Sequence, residues 1–260
     1  MKPFIEQAAK ELWDAERNRQ PVHPISETYA DITIEDAYAI QQQVKEWKLN
    51  SGARLIGRKI GLTSLAMQHA LNVHEPDFGS LYDNMLLPEG SSVPYERFLQ
   101  PKIEAELAFV MKKDLQGPVH FLDVLQATAY VVPAFEIIDS RVRDWKINIK
   151  DTVADNASSG ALVLGSRSVP VDDLNLRLIG LVLECNGQIV DTAAGAAVLG
   201  HPAEAVAWLC NKLAAFGEGL KAGDIVLSGS FTKAYIAQPG YVFHAHFDRI
   251  GTVQVGFGHK

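Results

Sequence analysis

The sequence predicts an α+β fold, in which a helical N-terminal region over residues 1–75 packs on a larger mixed-β domain over residues 76–260. Before Gly52, apolar residues recur at helical spacing among charged ones. After Ser91, short apolar runs separated by turn residues are typical of strands. One helical pattern, over 202–216, interrupts those strands.

The helical region opens with a helix over Phe4–Arg19, whose apolar residues form one stripe. Thr33 is the predicted N-cap of a second helix that ends near Gly52, because Asp36 follows three residues later and completes a capping box. Two short elements follow, a strand over Leu55–Leu62 and a helix over Thr63–Leu71.

The second region is predicted to be mainly strands. They are Lys102–Met111, Ala129–Ile138, Ala161–Leu164, Leu176–Cys185, Ile225–Ser228 and two more between Val242 and Phe257. The intervening helix has Pro202 in its first turn, and Gly217 ends it after Phe216.

Composition excludes several classes of protein. The chain has 260 residues, 47% of them hydrophobic, and a net charge of −7 from 24 basic against 31 acidic residues. That charge argues against nucleic acid as a partner, because phosphate neutralisation needs a basic surface. Two scattered cysteines, Cys185 and Cys210, are too few for a disulfide framework. With no signal peptide and no membrane-spanning segment in the sequence, we expect a soluble, cytoplasmic protein.

Two glutamates at strand spacing are the first candidate site. In the predicted strand over Lys102–Met111, Glu104 and Glu106 share one face, about 6–7 Å apart along the strand. Carboxylates at this spacing can converge on a hard cation. The alternative is the solvated face of an amphipathic strand.

Glu136 is the only charged residue in the apolar run Val131–Ile138. A buried carboxylate is unfavourable unless it is paired or bound to a metal. Together with Glu104 and Glu106, Glu136 would form an oxygen-rich shell suited to Mg²⁺ or Mn²⁺. A structural salt bridge to an arginine is the alternative.

Lys59 shares a strand face with Gly57 and Gly61, and flanking glycines leave room for a ligand. It could bind a carboxylate or shuttle protons, or it could be a surface lysine. Two polar segments complete the candidates, Asp77 within His74–Gly79 and Ser158 within Asp151–Gly160. Either segment could bind a ligand or be an ordinary turn.

Several motifs in this order resemble the fumarylacetoacetate hydrolase superfamily, in its 2-keto-4-pentenoate hydratase and 4-oxalocrotonate decarboxylase branch. The resemblance runs nearly end to end. The motifs are Gly57-Arg58-Lys59-Ile60-Gly61-Leu62-Thr63-Ser64, Glu75-Pro76-Asp77-Phe78-Gly79, Pro101-Lys102-Ile103-Glu104-Ala105-Glu106, Asp151-Thr152-Val153-Ala154-Asp155-Asn156-Ala157-Ser158, Gly200-His201-Pro202 and Leu227-Ser228-Gly229-Ser230.

The resemblance implies a fold in which a helical region lies beside a mixed β-roll. It also implies a homo-oligomer built from dimers, which could associate with other enzymes of its pathway. It implies a divalent metal, Mg²⁺ or Mn²⁺, held by Glu104, Glu106 and Glu136. It also implies catalytic roles for two residues and substrate contacts for two more: Lys59 and Asp77, and Thr63 and Ser158. The substrate would be a small 2-keto acid from the meta-cleavage degradation of aromatic compounds.

Within the branch, the expected reaction is hydration of 2-hydroxypenta-2,4-dienoate to 4-hydroxy-2-oxopentanoate. The alternative is decarboxylation of 2-oxohex-3-enedioate, but decarboxylases of this branch usually lack an acid at the position of Asp77. Hydratases of the seven-carbon dicarboxylate carry an insertion near Arg141–Lys146 that is absent here. An acylpyruvate hydrolase would need a His-Glu pair, and adjacent His74 and Glu75 would point apart on an extended chain. A non-catalytic scaffold is disfavoured because the candidate residues are intact.

Overall fold

The computed structural model describes residues 2–70 and 73–258. The helices in those ranges are α1 (Phe4–Asn18), α2 (Ile25–Thr28), α3 (Ile34–Asn50), α4 (Leu65–Ala70), α5 (Phe121–Ala127), α6 (Ile149–Ala154) and α7 (Pro202–Ala214). The strands are β1 (Leu55–Gly61), β2 (Asp77–Tyr82), β3 (Leu86–Leu87), β4 (Ser92–Pro94), β5 (Lys102–Met111), β6 (Thr128–Ile138), β7 (Ser159–Leu164), β8 (Gly180–Cys185), β9 (Gln188–Ala194), β10 (Ile225–Leu227), β11 (Tyr235–Ile236), β12 (Val242–Phe247) and β13 (Gly251–Gly258).

The N-terminal helices form where the sequence predicts them. The apolar stripe of α1 is buried, and it packs against α3. Thr33 caps α3 by accepting a hydrogen bond from the Asp36 N–H, and the Asp36 carboxylate accepts one from the Thr33 N–H. This reciprocal pairing satisfies two N–H groups that a helix otherwise leaves free. The predicted helix over Thr63–Leu71 corresponds to α4, and Leu71 lies outside the described residues.

The larger sheet has the strand order β2-β1-β10-β5-β6-β7-β3, with β11 also paired to β5. Strands β5 and β6 form its long central antiparallel pair, and β1 joins β10 in parallel. A second sheet has the order β4-β13-β12-β8-β9. One hydrophobic core runs continuously from α1 and α3 through both sheets, which confirms the α+β class.

Strand β1 precedes the predicted domain boundary at residue 75, yet it lies between β2 and β10 in the larger sheet. The division into 1–75 and 76–260 stays a prediction. Among the described residues, no helix combines the length and the apolar character that crossing a bilayer requires.

Three segments differ from their predicted structure. Residues Asp77–Tyr82, predicted to begin in a turn, form β2, and every residue of that strand is buried, so no polar alternation marks it. The first residues of the segment Asp151–Gly160, predicted to be a loop, instead belong to α6, because Asn148 and Asp151 build a capping box there. The strand predicted from Leu176 begins only at Gly180, since Leu178 closes a turn by donating its N–H to the Asn175 carbonyl.

Candidate active site

The antiparallel register of β5 and β6 brings the three predicted metal-binding glutamates together. Glu104 lies directly opposite Glu136, and Glu106 is two residues further along the same face of β5. One carboxylate oxygen from each residue lies within 4.8 Å of the others. The alternate residues of β5, Ile103, Ala105 and Leu107, are fully buried on the opposite face. Strand alternation therefore separates the carboxylates from the apolar core.

This carboxylate cluster is almost entirely buried. Glu106 and Glu136 have no exposed surface, and Glu104 is partly exposed. Burial raises the pKa of Glu136 to about 7. Burial also raises the pKa of Glu106 well above its usual range, and repulsion from Glu136 and Glu104 raises it further. Three anionic groups this close are unfavourable in a low-dielectric interior unless positive charge compensates them.

The donor set fits a hard divalent cation. Glu106 Oε1 and Glu136 Oε1 are buried and accept no hydrogen bond from the residues that the structure describes. The other Glu106 oxygen, Oε2, accepts one from the Gly229 N–H at 2.8 Å, which fixes the orientation of that carboxylate. Oxygen ligands converging from two neighbouring strands suit Mg²⁺ or Mn²⁺ better than a softer metal.

Lys59 is buried against this cluster and is not a surface lysine. Its Nζ lies 3.2 Å from Glu136 Oε2 and donates a hydrogen bond of 3.0 Å to the Ala157 carbonyl. Burial alone would lower the pKa of Lys59, but the surrounding carboxylates, Glu136 foremost, raise it above its ordinary value. Lys59 therefore carries a positive charge next to the predicted metal site.

Asp77 lies beside Lys59 because β1 and β2 pair with Gly61 opposite Asp77 and Gly79 opposite Lys59. The Asp77 side chain is fully buried, and neither of its oxygens has a hydrogen-bond partner among the described residues. Burial raises the pKa of Asp77, and the charge of Lys59 opposes that shift. A buried carboxylate with free acceptor oxygens is suited to accept a proton.

The segment that contains Ser158 is a tight turn, and it supplies the carbonyl that Lys59 binds. Asn156, Ala157 and Ser158 all have positive φ, between 49° and 54°. The Ser158 hydroxyl is buried and has no hydrogen-bond partner among the described residues. Such a turn is uncommon for residues other than glycine and requires support from its surroundings.

Two supports of this turn were missed in the sequence. The Asn156 side chain accepts a hydrogen bond from the Ser80 N–H and donates one to the Ser80 carbonyl, at 2.7 and 3.0 Å. The buried Arg141 guanidinium pairs with Asp155 Oδ1 at 2.5 Å and also donates to the Asp155 and Ser159 carbonyls. The Asp151–Ser158 motif contains Asn156 and Asp155, but their partners are distant in sequence, so no local pattern indicates the pairing.

Thr63, the other predicted substrate contact, is buried against the chain at Gly229. Gly229 has φ 105°, and a Cβ there would lie 2.1 Å from Thr63 Oγ1. Thr63 is thus linked through Gly229 to Glu106, whose carboxylate the Gly229 N–H binds. A cleft of about 450 Å³ is lined in part by the residues that immediately precede Asp77 and by α6: His74, Glu75, Pro76, Lys150 and Val153.

Comparison with known proteins gives a consistent result. Residues 33–257 match the family model described as fumarylacetoacetate (FAA) hydrolase C-terminal. The chain is 44% identical over 254 residues to a 2-keto-4-pentenoate hydratase of Paraburkholderia xenovorans strain LB400, covering 97% of this chain and 94% of that protein. It is 45% identical over 259 residues to a 2-hydroxyhexa-2,4-dienoate hydratase of Comamonas testosteroni, covering 98% of each.

Among solved structures, the fold is similar to 4-oxalocrotonate decarboxylase from Pseudomonas putida G7 in complex with magnesium and adipate. The TM-score is 0.96 at 36% sequence identity, over 99% of this chain and 98% of that one. The family model covers most of the chain, and these relatives match it nearly end to end. The chain therefore belongs to the fumarylacetoacetate hydrolase family.

Proposed function

We propose that this chain is a divalent-metal-dependent hydro-lyase that converts 2-hydroxypenta-2,4-dienoate and water into 4-hydroxy-2-oxopentanoate. The observation that carries the proposal is the buried pair of Lys59 and Asp77 beside the carboxylate cluster, with both Asp77 oxygens free to accept a proton. The two relatives described above are named as hydratases of the five- and six-carbon substrates of this type.

Glu104, Glu106 and Glu136 would hold the metal, for which Mg²⁺ and Mn²⁺ are the candidates. When bound, the cation supplies Lewis-acid polarisation and a point of attachment for the oxygens of a 2-keto acid. Thr63 and the Ser158 hydroxyl would contact the substrate, and that buried hydroxyl has no partner in the part of the chain that the structure describes. The positive charge of Lys59 would offset the negative charge of the substrate carboxylate.

The chemistry assigned to the side chains follows from the substrate. The enol O–H proton is lost and C5 gains a proton, which leaves a conjugated ketone with an electrophilic C4. Asp77 would then orient a water molecule and accept one of its protons as the hydroxyl adds to C4, and protonation at C3 completes the reaction. Burial suits Asp77 to this role, because it raises the pKa of the carboxyl toward the working pH of a general base.

One steady-state experiment tests the proposal. Purified protein with Mg²⁺ or Mn²⁺ is given 2-hydroxypenta-2,4-dienoate, and loss of the dienol absorbance is followed together with chromatographic identification of the product. Metal-dependent formation of 4-hydroxy-2-oxopentanoate is the expected result. No hydration above the rate of a metal-free control would overturn the proposal.

Decarboxylation is the second candidate, because the fold is so similar to that of 4-oxalocrotonate decarboxylase. Loss of carbon dioxide needs an electron-accepting site but no base to activate water, so the buried Asp77 favours hydration. The decisive comparison uses the same enzyme preparation on 2-oxohex-3-enedioate with carbon dioxide as the readout. If carbon dioxide release is faster than hydration of the pentadienoate, the decarboxylase assignment replaces ours.

Assembly into a homo-oligomer built from dimers is also part of the proposal. Among the residues that the structure describes, five large apolar side chains are more than half exposed: Leu65, Leu122, Leu178, Ile189 and Ile236. The chain segments that carry the last two are in contact, since the Tyr235 hydroxyl, next to Ile236, lies within hydrogen-bond distance of Val190 O and Asp191 Oδ2. Burial of exposed apolar surface favours association. Light scattering should give a mass that is an even multiple of 28.5 kDa.

A further inference from the structure

Two histidines and a glutamate form a second cluster of metal-ligand type, on the smaller sheet. Strands β8 and β12 pair so that Glu184 lies directly opposite His244, and His246 follows two residues along the same face. One ligand atom from each of the three lies within 4.8 Å of the others. The intervening residues Leu183, Ala245 and Phe247 face the core. The cluster therefore occupies the outer face of this sheet.

The spacing within this His-Glu cluster is close to that of ligands on one zinc ion. His246 Nε2 lies 3.7 Å from Glu184 Oε2, and the three ligand atoms all lie within 4.8 Å of one another. Ligands on a tetrahedral zinc at the usual bond lengths of roughly 2.0–2.2 Å stand about 3.3–3.5 Å apart. The side chains must rotate to bring the three ligand atoms onto one ion.

Hydrogen bonding within the chain does not account for the arrangement. His246 Nε2 is a buried atom with no hydrogen-bond partner among the described residues, although its side chain as a whole is 39% exposed. The cross-strand neighbours of the three residues are uncharged: Val182, Ile189, Thr252 and Gln254. No lysine or arginine is paired with Glu184 across β9 or β12 to neutralise its charge. The two histidines cannot both be charged without repelling each other, because their imidazoles are adjacent.

We propose that Glu184, His244 and His246 form a second metal site, which takes a borderline transition metal such as Zn²⁺ rather than the hard cation suited to the carboxylate cluster. Imidazole nitrogen binds Zn²⁺, Cu²⁺ and Ni²⁺ well and Mg²⁺ poorly. Three protein ligands leave one position for water, and the partly exposed side chains give the ion a path from solvent. A bound ion would link β8 to β12, in the sheet that carries none of the residues assigned to hydration.

The test measures zinc retention with Mg²⁺ in large excess, so that the carboxylate cluster is filled by the hard cation. Wild-type protein and the variants His246→Ala and Glu184→Gln are dialysed against limiting Zn²⁺ and analysed for zinc per chain. Glu184→Gln keeps the shape of the side chain and so guards against misfolding. Gln254→Ala, on the same sheet face opposite His244, is the matched control.

We expect wild type and Gln254→Ala to retain one Zn²⁺ per chain and the two ligand variants to lose roughly tenfold or more in zinc affinity. Cu²⁺ in place of Zn²⁺ should give an electron paramagnetic resonance spectrum with coupling to two imidazole nitrogens, a signal that the all-oxygen cluster cannot produce. Hydration should be unchanged in all four proteins. Failure of wild type to retain Zn²⁺, or equal retention in both ligand variants, would overturn this proposal without touching the hydratase assignment.

Discussion

Gly61 lies opposite Asp77 in the β1–β2 pair, and a Cβ at Gly61 would stand 2.1 Å from Asp77 Oδ1. The same Cβ would be 3.4 Å from Lys59 Nζ. Since atoms cannot approach to 2.1 Å without bonding, the absence of a side chain at Gly61 is what lets Asp77 sit next to Lys59. Glycine here provides space for two charged groups and not an unusual backbone conformation, since Gly61 does not have a positive φ.

The first prediction follows directly from this contact. Gly61→Ala should move the Asp77 carboxylate by about 1 Å and lower kcat by roughly 10²-fold, the scale of such a misplacement. Circular dichroism and metal content should stay as in wild type. Gly180→Ala is the control, because its nearest neighbour would be 4.0 Å from the new Cβ. Wild-type kinetics for Gly61→Ala would contradict the role given to the position of Asp77.

The second prediction concerns the carboxylate cluster. Glu106→Gln keeps the size of the side chain but removes one anionic ligand, so metal affinity should fall sharply while the fold remains. Elemental analysis and calorimetric titration with Mn²⁺ measure the change, and Glu96→Gln, an exposed position, serves as the control. A chelator should abolish turnover and Mg²⁺ or Mn²⁺ should restore it. Full activity in protein proven metal-free would refute the metal site.

The third prediction separates Lys59 from the metal. Lys59→Met removes the ammonium group from its contacts with Glu136 and the Ala157 carbonyl. Turnover should drop by about 10²-fold or more, the loss expected for missing acid–base assistance. Metal content should not change, which distinguishes this variant from Glu106→Gln. Lys113→Met is the control, because Lys113 is exposed. If the two variants had equal kinetics, Lys59 would have no role in the mechanism.

The fourth prediction tests Asp77 as the base for water addition. Asp77→Asn keeps the shape of the side chain but loses its basicity, so hydration should fall by about 10²–10⁴-fold. Entry of solvent deuterium at C5 should persist, because protonation there precedes water addition. Nuclear magnetic resonance of the recovered substrate and product measures both steps. A variant that hydrates at the wild-type rate would show that another group activates the water.

Much of the fold could be predicted because its elements carry local signals. The capping box at Thr33 and Asp36 marks the start of α3, and the alternation in Lys102–Met111 gives β5 its observed bounds. Strand β2 carries no such signal, since burial on both faces removes alternation. Its prediction required knowledge of its neighbours in the sheet.

For the candidate site, the type of a residue indicates its function from the sequence alone, but the groups that it interacts with could not be predicted. A lone glutamate in an apolar run indicates a functional or paired carboxylate, and Glu136 is found opposite Glu104. Besides Glu136, however, Lys59 binds the main-chain carbonyl of Ala157, and Glu106 accepts a hydrogen bond from the N–H of Gly229. Every residue has these backbone groups, so side-chain identity cannot reveal which of them faces the site.

The carbonyl that Lys59 binds belongs to a left-handed turn, and this affects how the site tolerates mutation over time. Because every amino acid carries that oxygen, exchange of the Ala157 side chain leaves the acceptor in place. The weak point is instead Asn156, whose amide holds the turn to Ser80 and whose side-chain type tolerates positive φ. Sequence drift at 157 therefore keeps the acceptor as long as the new side chain tolerates positive φ and fits the buried space, while drift at 156 changes the environment of the lysine without altering any catalytic side chain.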